Sequence, residues 1–190
     1  IIFFVVASCS SIPKYPSNAC KIFGEKYFYL KYTRASSKKW GVPISSILAV
    51  INKESGFRRF AKPPRHKIFK IIPYRRPSSS LGFSQAVNKT WDLYQKENNK
   101  PAALRISYKS SSDFIGWYFW KANKINKVSL NNTRDLYLNY YLGFSAYKNK
   151  VYRTDKKAII FAKNVEKQAK IYKSQLRECK SVLNKSYIIF

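Results

Sequence analysis

The 190 residues suffice for one compact domain, and with 45% of them hydrophobic a buried core is well supplied. Thirty-seven Lys and Arg against nine Asp and Glu give a formal charge of +28, which holds a chain against polyanions (nucleic acid, anionic lipid or an anionic cell wall) without choosing among them. His66 is the only histidine, so no Cys/His spacing suits a metal ion, and no cofactor is expected.

Ile1 to Val6 is an uncharged run of branched and aromatic residues. It falls well short of the roughly 20 residues that span a bilayer, yet suits the apolar region of a signal peptide. The run stops at Val6-Ala7-Ser8-Cys9, and small residues before a cysteine resemble a bacterial lipobox. That resemblance implies cleavage before Cys9, acylation of its thiol and new amino group, and, with Ser10 following, sorting to the outer membrane. Residues 1–8 then read as a signal peptide truncated at its start, with a buried first strand as the other reading. Residues 10–18 hold two prolines and three serines and read as a tether, so the domain is expected over residues 19–180, followed by a tail at 181–190 of unknown role. In an exported chain Cys20 and Cys179 read as one disulfide stapling the N-terminal arm to the last helix; two free buried thiols are the alternative.

Inside the domain the period is mostly helical, which predicts a mainly α fold. Residues 25–40 form one amphipathic pattern stopped by Gly41. After Pro43, the spacing of Ile44, Ile47, Leu48 and Ile51 gives the next helix a single apolar stripe, ending near Gly56. Residues 58–77 lose the period: four of the eight prolines and eight Lys and Arg lie here with no acid, a long basic loop with room for a small β-hairpin around Ile68 to Tyr74. Helical patterns resume over residues 84–97, 113–124 and 133–143, the last with Thr133 as N-cap. From Asp155 onward Ala158, Ala162, Val165, Ala169, Tyr172, Leu176 and Cys179 repeat as one stripe.

Three short patterns carry candidate chemistry. Glu54 lies three residues after Ile51 and seven after Ile47, so on a helix it ends the apolar stripe, where partial desolvation disfavours its charged form. The last helical turn adds the unfavourable end of the helix dipole, while Lys53, Arg58 and Arg59 oppose both effects; burial is expected to win, leaving a protonated acid. A surface Glu paired with a neighbouring Arg is the plainer reading. Ser80-Leu81-Gly82-Phe83-Ser84-Gln85 follows, in which Gly82 permits a close backbone approach and Gln85 offers an amide to a sugar. Last comes Tyr137-Leu138-Asn139-Tyr140-Tyr141-Leu142-Gly143, where a tyrosine in a cleft suits a pyranose ring but at helical spacing also suits a core.

In this order the three patterns resemble the soluble lytic transglycosylase family of the lysozyme-like superfamily, whose pattern is Glu-Ser at a helix end, then Gly-Leu-Met-Gln, then Ala-Tyr-Asn-x-Gly. The resemblance covers roughly residues 40–148. It implies a lysozyme-like domain in which Glu54 is the catalytic acid/base, Ser55 helps position substrate, and Gln85 and Tyr140, with Gly82 and Tyr141 in the same motifs, line a saccharide groove. Phe83-Ser84 stands for Leu-Met, Asn139 for Ala and Tyr141 for Asn, and the basic loop is an insertion expected as a cleft wall. Most glycosidases use two carboxylates. No second acid sits in a motif beside Glu54, and the resemblance implies a single-carboxylate route: Glu54 protonates the oxygen between N-acetylmuramic acid and N-acetylglucosamine, then takes the proton of the muramyl C6 hydroxyl to close a 1,6-anhydro ring. The expected protein is a monomer in the bacterial envelope, anchored by lipid, with peptidoglycan strands rather than nucleic acid as its partner. A hydrolytic muramidase, a non-catalytic wall binder and a basic nucleic-acid-binding protein are the competing readings.

Overall fold

The computed structural model describes residues 12–65, 67–68, 72–180 and 183. In chain order these form α1 (Ala19–Glu25), α2 (Tyr27–Trp40), α3 (Ile44–Ser55), β1 (Lys67–Ile68), β2 (Ile72–Pro73), α4 (Asn88–Glu97), α5 (Tyr108–Asn126), α6 (Thr133–Leu142), α7 (Phe144–Lys148), a 3₁₀ turn (Val151–Arg153) and α8 (Lys156–Glu178). The mainly α expectation holds. So does the place of the hairpin, since β1 and β2 pair antiparallel with Lys67 opposite Pro73 and Ile68 opposite Ile72.

The centre of the molecule is α3. Every residue from Ser45 to Ile51 is buried, so this helix is covered on all sides, by α2, α5 and α8. Its Ser46 hydroxyl is satisfied inside, sharing a hydrogen bond of 2.7 Å with Thr133. The far side of α3 is closed by α8, whose predicted stripe of Ala158, Ala162, Val165, Ala169 and Tyr172 is buried, three alanines letting the two backbones lie close. Threading the core in this way, α3 delivers only its last turn, with Glu54, to the edge of the protein.

Several boundaries differ from the sequence reading. The helix expected over residues 25–40 starts at Tyr27 and ends before Gly41 as read, while Glu25 closes a separate α1 that is too short for a period to reveal it; its N-cap is Asn18, which accepts the Lys21 N–H. The N-cap of α6 is Asn132, which accepts the Asp135 N–H, because Thr133 is spent on Ser46. The helix expected from Ser84 starts at Asn88, since an isolated bridge between Leu81 and Ala86 holds the preceding turn.

The tether expected at residues 10–18 is docked where it is described. Pro13 is buried, and the Pro16 carbonyl accepts hydrogen bonds from Asn52 Nδ2 and the Tyr172 hydroxyl, so this stretch packs on α3 and α8. Beside it a disulfide joins Cys20 of α1 to Cys179 at the end of α8. Cys9 and the expected signal residues lie outside the described residues, as do most of residues 181–190. Among the described residues no helix is long and apolar enough to cross a membrane.

Candidate active site

The chain changes hand two residues after Glu54. Gly56 (φ 57°) and Phe57 (φ 61°) are both left-handed, which ends α3 and swings the Phe57 ring into the core, where it is fully buried against Tyr29. A left-handed Phe is strained, and its burial holds it there. The Glu54 carboxyl therefore sits on a fixed stub of helix. Its Oε1 accepts a 2.7 Å hydrogen bond from the Tyr137 hydroxyl of α6.

Burial pushes the Glu54 carboxyl up from 4.5 to about 7, against the Tyr137 hydrogen bond and the nearby Lys53, which both favour the charged form. Of the three cations that the sequence set against burial, only Lys53 counts: its Nζ lies 3.5 Å from the centre of the Phe161 ring. Arg58 turns back instead, its Nε donating to the Ser55 carbonyl at 2.8 Å and closing the free end of α3. Tyr137 is itself pushed far up by burial and by Glu54, so it stays a protonated donor.

The expected groove residues divide. Gly82 is left-handed (φ 77°), and a Cβ there would lie 2.1 Å from the Arg105 carbonyl oxygen, so the close approach demands glycine. Gln85, itself left-handed (φ 51°), spends both hydrogens of its amide inside the turn, on the carbonyls of Ala61 (2.9 Å) and Gly82 (2.8 Å), leaving Oε1 as the atom it can offer a ligand. Tyr140 donates its hydroxyl to the Ser84 carbonyl and packs its ring among Phe114, Tyr118, Phe119 and Tyr137. Ser55 is buried, its hydroxyl bonded back to Ile51 at 3.0 Å, and is not presented to a cleft. Tyr141 is 38% exposed, stacked on Tyr137 and edge-on to Phe161, an open aromatic face one helical turn from the residue that holds Glu54. Asn139, another departure from the family pattern, ties α6 to α5 by accepting from Asn126 at 2.6 Å.

Tyr137 is the residue the sequence reading missed. It shares a face of α6 with Tyr140 and Tyr141, the one signal that could have found it. Seven of the other eight acids are engaged elsewhere, and the eighth, Asp92, is exposed on α4: Asp113 accepts from Tyr94, Trp40 and Lys100, Glu97 from Lys121 and Trp117, Glu25 from the Lys14 N–H and Glu178 from the Ser174 hydroxyl. Asp135 and Asp155 are held at helix starts, and Glu166 pairs with Lys170. Among the described residues no group of His, Cys, Asp and Glu could hold a metal ion. The arrangement is one desolvated carboxyl, poised to give a proton near neutrality, beside an aromatic wall. Comparison with known families finds a match over residues 1–179 to the one described as transglycosylase SLT domain. No curated protein matches the chain.

Proposed function

Because the chain belongs to the transglycosylase SLT domain family, we propose that it is a peptidoglycan lytic transglycosylase with Glu54 as its only acid/base. A lysozyme-like domain of this family has a lytic transglycosylase-type function on peptidoglycan of the cell envelope. The finer reading is that Glu54 protonates the glycosidic oxygen between N-acetylmuramic acid and N-acetylglucosamine, while the substrate's acetamido group stabilises the developing cation. The carboxylate so formed takes the proton from the muramyl C6 hydroxyl, whose oxygen then closes on C1 to give the 1,6-anhydro end.

The observation that carries this reading is the Glu54 carboxyl, raised to about 7 by burial and bonded to the Tyr137 phenol, with no carboxylate partner among the described residues. A group poised there can be acid in one half of the reaction and base in the other. Two-carboxylate hydrolysis would call for a second acid across the bond. Gln85 Oε1 and the Tyr141 ring are the groove contacts we assign to substrate, with Gly82 and Tyr140 shaping the turn that carries Gln85 and Ser55 supporting the helix end. Lipidation of Cys9 would place the enzyme at the outer membrane facing the periplasm, as a monomer.

Digestion of purified peptidoglycan tests this, with products read by mass. Wild type should release fragments ending in 1,6-anhydromuramic acid, each lighter than the reducing form by one water, and Glu54→Gln should release none. Reducing ends would make the protein a muramidase, and equal products from both proteins would remove Glu54 from the chemistry.

A further inference from the structure

The side of α8 that faces away from α3 takes no part in the chemistry at Glu54. Lys156, Lys163, Lys167, Lys170 and Arg177 follow one another by seven, four, three and seven positions, so they share one face of the helix, opposite the buried stripe that runs from Ala158 to Tyr172. All five are exposed, and the row extends about 30 Å along one rigid element. The only acids of α8 are Glu166, which pairs with Lys170, and Glu178, which accepts from Ser174. Lys156, Lys163, Lys167 and Arg177 have no ion-pair partner among the described residues.

Two isoleucines border the row. Ile160, four positions after Lys156, is 55% exposed, and Ile171, four after Lys167, is 39% exposed. Along the same edge lies the N-terminal arm, because Gln168 and Gln175, three positions before Ile171 and four after it, both donate to the Ser17 carbonyl, at 3.5 and 3.3 Å. The arm presents Tyr15, 43% exposed, with the Lys21 and Lys14 ammonium groups 4.0 and 5.5 Å from its ring centre. Like charges one helical turn apart, as at Lys163 and Lys167, repel each other, and an anionic surface laid along the row relieves that cost. The isoleucines gain only from an apolar phase, and a tyrosine between lysines suits the boundary between the two.

We infer that this face of α8, with Tyr15 at its edge, docks on the surface of a bilayer that carries anionic phospholipid, the lysines meeting headgroup phosphates while Ile160 and Ile171 enter the boundary beneath them. The inference names lipid because a nucleic acid or other polyphosphate would satisfy the lysines but offer the isoleucines nothing. It requires neither acylation of Cys9 nor cleavage of peptidoglycan. Phe161, the α8 residue that meets Tyr141, lies two positions from Lys163 and so on another side of the helix, away from the docked row.

Sedimentation of the full chain with vesicles tests it, using Cys9→Ser throughout so that acylation contributes nothing, and with the melting temperature of each variant checked. The chain should bind vesicles that contain phosphatidylglycerol, be released from them by salt, and ignore vesicles of phosphatidylcholine alone. Lys163→Gln with Lys167→Gln should weaken binding by about twenty-five-fold, about fivefold for each lysine. Lys89→Gln with Lys96→Gln, which removes two exposed lysines of α4 and leaves the same total charge, should weaken it by less than about twofold. Ile160→Ser with Ile171→Ser should weaken vesicle binding by about tenfold and leave binding of a DNA duplex unchanged. Absence of binding to the anionic vesicles overturns the inference outright. So does an α4 pair that matters as much as the α8 pair, which would make total charge the cause, or an isoleucine pair that leaves vesicle binding unmoved. A duplex bound in preference to vesicles, through Lys163 and Lys167, would assign the face to nucleic acid instead.

Discussion

A carboxyl group in a helix's last turn is ordinarily open to water and ionised well below neutrality; at Glu54, desolvation outweighs a phenol and a lysine. Between pH 4.5 and about 7 the folded chain keeps a proton that the unfolded chain has released, so stability is lost as pH rises through that window, on the order of 3 kcal/mol. Glu54→Gln should therefore match wild type in urea unfolding at pH 4 and exceed it by about that amount at pH 8. The Tyr137 hydroxyl acts in the opposite sense, favouring the carboxylate. Tyr137→Phe should push the Glu54 carboxyl higher still and move the alkaline limb of the pH–rate profile upward by about one pH unit. With orientation lost as well, the plateau should fall by about tenfold; an unmoved limb would assign Tyr137 to packing alone. Glu54 was legible because Ile47, Ile51 and Gly56 fix its place on a helix. Tyr137 was not, since it reaches the acid from 83 residues away and is one of 15 tyrosines.

Among the elements, the short turn from Leu81 to Ala86 holds Gln85, one of the contacts proposed for substrate. Gly82→Ala puts a methyl group against the Arg105 carbonyl in a left-handed backbone, and should cost at least about 2 kcal/mol in thermal or urea unfolding. Activity should fall further than stability, because Gln85 and the Ser84 carbonyl shift with the turn. A variant as active and as stable as wild type would mean that the turn is free to move. The sequence already showed that Gly82 allowed a close approach, but not to what: Arg105 lies in an irregular segment before α5 with no period to read. The same turn explains the late start of α4, since the bridge between Leu81 and Ala86 and the Gln85 amide hold the chain in a non-helical course. The long amphipathic α8 was readable almost to the residue and α5 only from its second turn on, whereas α1 and α7, at seven and five residues, offer too few turns to show a period.

At the level of the whole molecule, the disulfide between Cys20 and Cys179 closes a loop of sequence separation 159. In the chain-entropy account such a cross-link stabilises by roughly 4–5 kcal/mol through the unfolded state. Reduction should lower the melting temperature by about 10 °C for a chain of this size while leaving activity at 25 °C nearly intact, because Glu54 and Tyr137 are held by α3 and α6 rather than by the arm. A scan with and without dithiothreitol, paired with a room-temperature assay, checks both halves. The mainly α class and the hairpin's place in the basic loop were readable from composition and period. The docking of residues 13–18 was not, because a Pro- and Ser-rich segment has the same composition whether it is free or packed.

Tyr140 grips position 84 by its main-chain oxygen, and the Ser84 hydroxyl, though buried, makes no hydrogen bond among the described residues. Any residue supplies that oxygen, so the grip of Tyr140 on the turn depends on the phenol and on the backbone course, while the side chain at 84 answers only to the space its burial leaves it.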